Sequence, residues 1–160
     1  MLVVVAVLFV PTSFASAQIV ALGSSTTRGN VPENQMWPAV LEGILHARGS
    51  QVHVKNAGVW GDTTLGVLGR VSSDVPDGTK IVILCVNAYN DNHRGRTDII
   101  NNDPSANIAA IKSKLAARGI KVIDAMPIYL SINRERGMSD GVHLSVEGNK
   151  KMVTMVARML

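Results

Sequence analysis

Ser25 lies in Gly23-Ser24-Ser25-Thr26-Thr27, directly after a short apolar run, and far downstream the chain carries Asp140-Gly141-Val142-His143. A serine hydroxyl is inert as a nucleophile until a base takes its proton and donors hold the oxyanion that forms. The Asp-x-x-His spacing lets a tight turn carry a carboxylate oxygen to imidazole Nδ1, which fixes the tautomer and leaves Nε2 to accept the serine proton. Donors stand on two other segments. Gly61, in Gly58-Val59-Trp60-Gly61, offers a backbone N–H with no side chain in the way, and Asn90 offers its side-chain NH₂. With the N–H of Ser25, three donors can converge on one oxygen. Singly each feature is ordinary, because a serine in such a cluster usually makes a turn or a cap and a loop aspartate is usually solvated. Together, four separate segments supply complementary parts of an acyl-transfer site.

Such residues need a scaffold, and the hydrophobic pattern supplies one. Residues 18–22 form an apolar run that predicts a buried strand entering the Ser/Thr loop. Trp37, Val40, Leu41, Ile44 and Leu45 share one face of a 3.6-residue period, with Pro38 in the first turn and Gly49 past the end, and predict a helix. Residues 51–55 alternate, with Val52 and Val54 inward, as a half-buried or edge strand does; a loop over 56–62 and a short helix with Leu65, Leu68 and Val71 inward follow. Residues 80–86 are a continuous aliphatic run of the kind covered on both faces, which marks the centre of the sheet. Asp103-Pro104 reads as a cap and first helical residue, with Ile108, Ile111 and Leu115 buried; a strand over 120–125 comes next. A last helix from near Ser145 turns Met152, Val153, Val156, Met159 and Leu160 inward, with Glu147 at its positive end. Connections too long for hairpins make this an α/β protein, a parallel sheet with helices on both faces in three layers. Chemistry in such sheets gathers at the carboxyl ends of the strands, so residues 23–29, 58–62, 87–94 and 140–143 share one rim.

Composition agrees with one globular domain: 160 residues, 46% apolar and 18% charged. The single cysteine, Cys85, excludes an intramolecular disulfide framework; inside the central strand it reads as a small buried hydrophobe. A net charge of +4 comes from scattered Lys and Arg, with no basic stripe interleaved with aromatics, so no nucleic-acid partner is expected. The first charged side chain is Arg28, and residues 1–10 are an unbroken apolar run ended by Pro11. That run is too short to span a bilayer, so no stable membrane anchor is expected. With Ala15-Ser16-Ala17 behind it, it reads as a cleavable export signal over 1–17, a domain over 18–160 and a periplasmic or secreted protein. No Lys or Arg precedes the run, and a packed N-terminal segment is the competing expectation.

The motifs resemble those of the SGNH (GDSL) hydrolases, small α/β/α esterases and lipases. The family's Gly-Asp-Ser-x-x-x-Gly block is matched by residues 23–29, its second block by 56–63, its Gly-x-Asn-Asp block by Asn87-Ala88-Tyr89-Asn90-Asp91, and its Asp-x-x-His block by 140–143. The resemblance implies a flavodoxin-like sheet and an ester hydrolase with Ser25, His143 and Asp140 as its triad. It further implies an oxyanion hole of Ser25, Gly61 and Asn90, small-molecule ester substrates, and neither metal nor organic cofactor. Ser24 replaces the usual Asp, and Tyr89 stands where a small residue is common. Residues 126–139 are too few for the helix and fifth strand of similar proteins, so a shortened fold with sheet order 2-1-3-4 is expected. Trp60 and Tyr89 flank the donors and would wall a substrate pocket.

Other functions compete with this one. A carbohydrate acetyl esterase of the same fold would use the same residues, and a non-catalytic exported binding domain would keep only the fold. Phosphate binding by the 24–27 loop with Arg28 lacks the lysine and glycine spacing of a P-loop. Asp91 with His93 is too small a ligand set for a metal, and Arg134, Glu135 and Arg136 read as a solvated charged rim.

Overall fold

The computed structural model describes residues 18–93, 102–134 and 140–160. The expected export signal over 1–17, the side chains of His93 and Arg134, and Glu135 and Arg136 of the expected charged rim lie outside what is described. Four strands, β1 (Ile19–Gly23), β2 (Val54–Gly58), β3 (Ile81–Cys85) and β4 (Lys121–Asp124), form an all-parallel sheet in the order β2-β1-β3-β4. Helices α2 (Trp37–Ala47), α6 (Met126–Arg134) and α7 (Val146–Val156) cover one face, and α3 (Thr64–Asp74) and α5 (Pro104–Ala117) the other; α1 (Ser25–Arg28) and α4 (Tyr89–His93) are single turns at the rim. This is the expected three-layer α/β/α architecture and strand order. Among the described residues no helix is long and apolar enough to cross a membrane.

Alternation of side chains along the strands makes both cores. Ile19, Ala21, Ile83 and Cys85 point to the face that holds Trp37, Leu41, Tyr129, Met152 and Val156. Val20, Leu22, Val82 and Leu84 point the other way, onto Val67, Val71, Ile111 and Leu115. A strand covered on both sides reads as a continuous apolar run, as β1 and β3 do.

Register fixes the rim. Gly23 is level with Gly58 on one side and with Cys85 on the other, so three strands end together. There the chain of α1 folds back tightly over the sheet. A Cβ on Gly23 would lie 2.1 Å from the Cys85 carbonyl oxygen, and one on Gly58 would lie 2.2 Å from the Arg28 nitrogen. Both glycines are therefore required by close backbone approach.

The structure corrects several expectations. β2 starts at Val54 and takes in Asn56, Ala57 and Gly58, which the sequence pattern assigned to a loop. Pairing with β1, rather than alternation, sets its limits. In α3 the inward positions are Val67 and Val71 with Leu68 beside them, whereas Leu65 sits on the outer side of the first turn and is exposed. α7 ends at Val156, which leaves Met159 and Leu160 exposed beyond it. Residues 126–134, expected to be loop, form α6, with Pro127 in its first turn and Tyr129 and Ile132 buried.

Capping closes the helices that flank the rim. Thr63 and Ser145 accept from the N–H groups of Gly66 and Gly148, and Asp103 from those of Ser105 and Ala106. α2 has no cap of its own: its first N–H, on Trp37, donates to Asn149 Oδ1 of α7 at 2.8 Å. Asn149 is 1% exposed and its Nδ2 donates to the carbonyls of Leu144 and Ser145. Replacing it by Leu leaves a buried N–H and two carbonyls without that partner, so Asn149→Leu is expected to lower the unfolding free energy by about 1–3 kcal/mol in a urea titration.

Candidate active site

Ser25 opens α1 immediately beyond β1, and the turn around it is pinned from below. Thr26 Oγ1 donates to the Cys85 carbonyl at 2.8 Å, Thr27 Oγ1 reaches the same oxygen at 3.4 Å, and Trp37 Nε1 donates to the Thr26 carbonyl at 3.3 Å. Both threonine hydroxyls are thereby occupied, and Arg28 donates to Met36 Sδ. Ser25 is 8% exposed and opens into a cavity of about 120 Å³ that it shares with Asn87, Tyr89, Asn90, Tyr129, Gly141 and Val142, among others.

The downstream loop makes the contact its spacing suggested. Asp140 Oδ2 and His143 Nδ1 are 2.7 Å apart, and Asp140 Oδ1 accepts from the backbone N–H groups of Val142 and His143 at 3.0 and 2.7 Å. Gly141, at φ +81°, makes this Asx-type turn possible. Asn30 adds a bond to Asp140 Oδ2 at 3.1 Å. Burial works against the carboxylate, but the bonds from the His143 ring and from the two backbone N–H groups, with the imidazole's charge, hold its pKa well below the ordinary 3.8. From α6, Tyr129 donates its hydroxyl to the Val142 carbonyl at 2.6 Å. Burial, with Cys85 and Asp140 nearby, keeps that phenol protonated far above its usual range.

The two donor segments meet beside the cavity. Gly61 has φ +66°, a conformation that favours glycine, and lies between Trp60 and Asp62. The Trp60 ring meets the His143 ring edge-on, centroids 4.7 Å apart, and the Asp62 carbonyl accepts from Asn90 Nδ2 at 2.9 Å. Asn90 is carried on the single turn α4, where a loop was expected, and its second N–H is not consumed by that bond. Of the expected aromatic walls, Tyr89 lines the cavity while Trp60 covers His143, and both are about half exposed.

No protein-family model matches the chain. An arylesterase from Vibrio mimicus is 31% identical over 119 residues, which are 73% of this chain and 60% of that protein. Among solved structures, AlinE4, an SGNH-hydrolase family esterase, matches with a TM-score of 0.55 at 30% identity over 69% of this chain and 59% of its own. In sequence and in fold the chain is similar to the SGNH hydrolases. It spans about three-fifths of the length of these two relatives. Esterase EstA from Pseudoalteromonas sp. shares the fold more completely, with a TM-score of 0.71 over 89% of this chain and 96% of its own, at 16% identity.

Ser24, which stands where SGNH hydrolases usually have Asp, is 2% exposed and lies 3.3 Å from Thr26 Oγ1, so a small hydroxyl fills the position. Cys85 is fully buried and its thiol is pushed up to about 12, chiefly by that burial, which takes it out of nucleophilic chemistry. Asp91 serves the scaffold: it accepts from the N–H and hydroxyl of Thr64 and from Asn102 Nδ2, tying α4 to the start of α3. Sequence reasoning missed Asn30, Arg70, Tyr129 and Asn149. The spacing Met126, Tyr129, Ile132 carried a signal for α6, and Arg70, three residues after the inward Val67, carried one for a charge turned toward the core.

The low pKa of Asp140 makes part of the stability acid-sensitive. Its carboxylate stays ionised in the folded state where the unfolded chain would take up a proton, so its contribution is present above about pH 4 and fades as pH falls through the folded value. Urea titrations at pH 7 and pH 3 are expected to show a smaller stability difference for Asp140→Asn than for the wild type.

Proposed function

We propose that this protein hydrolyses small carboxylic esters through a Ser25-His143-Asp140 triad. The observation that carries this reading is the 2.7 Å contact between Asp140 and His143 Nδ1 beside a cavity into which Ser25 and Asn90 open. Asp140 accepts from Nδ1–H, which leaves Nε2 as the base. Nε2 takes the proton of Ser25 as Oγ attacks the acyl carbonyl. The oxyanion draws on the N–H groups of Ser25 and Gly61 and on Asn90 Nδ2. Nε2–H then protonates the departing alkoxide or phenoxide, and water repeats the sequence to release the acid. Every proton passes between side chains of this chain and substrate or water, so the mechanism calls for no cofactor. Among the described residues no cluster of three or more His, Cys, Asp or Glu side chains is arranged to hold a metal.

The cavity favours a small acyl group. About 120 Å³ holds a few carbon atoms, and exposed Tyr89 and Leu130 at its edge suit the apolar or aromatic part of the alcohol. The arylesterase activity named for the Vibrio mimicus relative supports an aryl leaving group.

Hydrolysis of p-nitrophenyl esters from acetate to long acyl chains tests the reading directly. Turnover is expected to be greatest at the short end. Ser25→Ala and His143→Ala are each expected to lower kcat by about 10⁴-fold or more, and Ser25→Ala to leave the unfolding transition close to that of the wild type, because it removes one oxygen and no core volume. A folded wild-type protein that turns over no ester in the series, or turnover that survives Ser25→Ala, overturns the assignment. Asn90→Ala is expected to cut kcat by about 100-fold with a smaller change in KM, as loss of one oxyanion donor does. An unaltered kcat in that variant removes Asn90 from the oxyanion hole.

A further inference from the structure

Arg70 takes no part in the chemistry above, yet its side chain on α3 is only 18% exposed. A guanidinium so placed is costly unless its N–H groups find acceptors. All three nitrogens do. Nε donates to Asp62 Oδ2 at 2.7 Å, one terminal nitrogen donates to the Ala57 carbonyl at 2.9 Å and to Asp74 Oδ2, and the other donates to the Gly23 carbonyl at 2.7 Å. Asp74 is a neighbour on the same helix, and Lys55 also contacts it. The remaining partners belong to the segments that bear the oxyanion donors. Gly23 comes two residues before Ser25, and Asp62 directly follows Gly61. The third donor hangs on Asp62 as well, since Asn90 Nδ2 donates to the Asp62 carbonyl. From the other side α3 closes on the Asp62 carboxylate so tightly that a Cβ on Gly66 would lie 1.8 Å from Oδ1.

We infer that Arg70 is a positioning residue for the oxyanion hole: one guanidinium sets the mutual placement of the Ser25 N–H, the Gly61 N–H and the Asn90 amide. The inference rests on the ester-hydrolase reading. Arginine suits the task because its N–H groups leave one rigid plane in several directions and reach acceptors on two strands and a loop together. Lysine keeps the charge beside Asp62 and Asp74 but offers a single nitrogen, which cannot span the Gly23 and Ala57 carbonyls and the Asp62 carboxylate at once. Arg70→Lys therefore separates geometry from charge.

Steady-state kinetics on a short p-nitrophenyl ester, with thermal unfolding alongside, test this in four proteins: wild type, Arg70→Lys, Asn90→Ala and the double variant. Arg70→Lys is expected to fold and to lose about 10- to 100-fold in kcat while KM moves by less than about threefold, since misplaced donors affect the transition state more than the bound ester. In the Asn90→Ala background the same change is expected to cost at least about fivefold less, because the donor it places through Asp62 is gone. A kcat within about twofold of wild type, or losses that multiply in full, would make Arg70 a structural cation only and overturn the inference. Should Arg70→Lys fail to fold, Asp62→Asn takes its place: it weakens the anchor to Nε and keeps the carbonyl that Asn90 uses, and the same kinetic outcomes decide. Turnover that needs Ser25 but ignores Arg70→Lys ends this inference alone, whereas absent or Ser25-independent turnover ends the ester-hydrolase reading and the inference with it.

Discussion

The carboxyl edge of the parallel sheet is the constraint on which the rest of the molecule depends. β1, β2 and β3 stop level with one another, and there the carbonyls of Gly23, Ala57 and Cys85 meet donors from outside the strands. These oxygens lie under rim loops, and a buried carbonyl without a partner is costly. The fold answers with specific groups: Val59 N–H and Arg70 at Gly23, Arg70 again at Ala57, and the hydroxyls of Thr26 and Thr27 at Cys85. Satisfying the sheet edge thus holds the turn bearing Ser25 and the loop bearing Gly61. A site assembled this way is anchored to the sheet edge, although its residues are formally in loops and single turns.

The other half of the site hangs on the opposite helical layer. Tyr129 of α6 holds the Val142 carbonyl, Asn149 of α7 holds that of Leu144, and His143 lies between them in sequence. Asn149 also caps α2 through Trp37, whose indole N–H reaches the Thr26 carbonyl. A continuous path of hydrogen bonds therefore joins the histidine loop to the serine turn through buried groups of α2 and α7. Both sides of the cavity rest on one apolar core.

Much of this was legible beforehand because the relevant signals are local. The apolar runs at β1 and β3, the periodic face of α2, the caps Asp103 and Ser145 and the Asp140-Gly141-Val142-His143 turn each depend on residues within a few positions of one another. Those elements appear where the pattern put them, and the Asp140–His143 contact has the geometry its spacing allows. Misreadings fall where a distant partner decides. β2 is as long as its pairing with β1 makes it, Leu65 faces out because α3 docks through Val67 and Val71, and α6 forms over a core that its own short segment does not reveal.

The sequence by itself determined the layer order, the parallel sheet and the set of reactive residue types on one rim, since hydrophobic period and turn chemistry are properties of neighbouring residues. Tertiary structure alone decided how those rim segments are held. Arg70, Tyr129 and Asn149 each satisfy backbone groups on other segments, and which carbonyl a side chain meets is fixed only when the sheet edge and the two helical layers come together. It also decided that Trp60 covers the histidine while Tyr89 lines the cavity, because ring placement follows loop packing and leaves no mark in spacing.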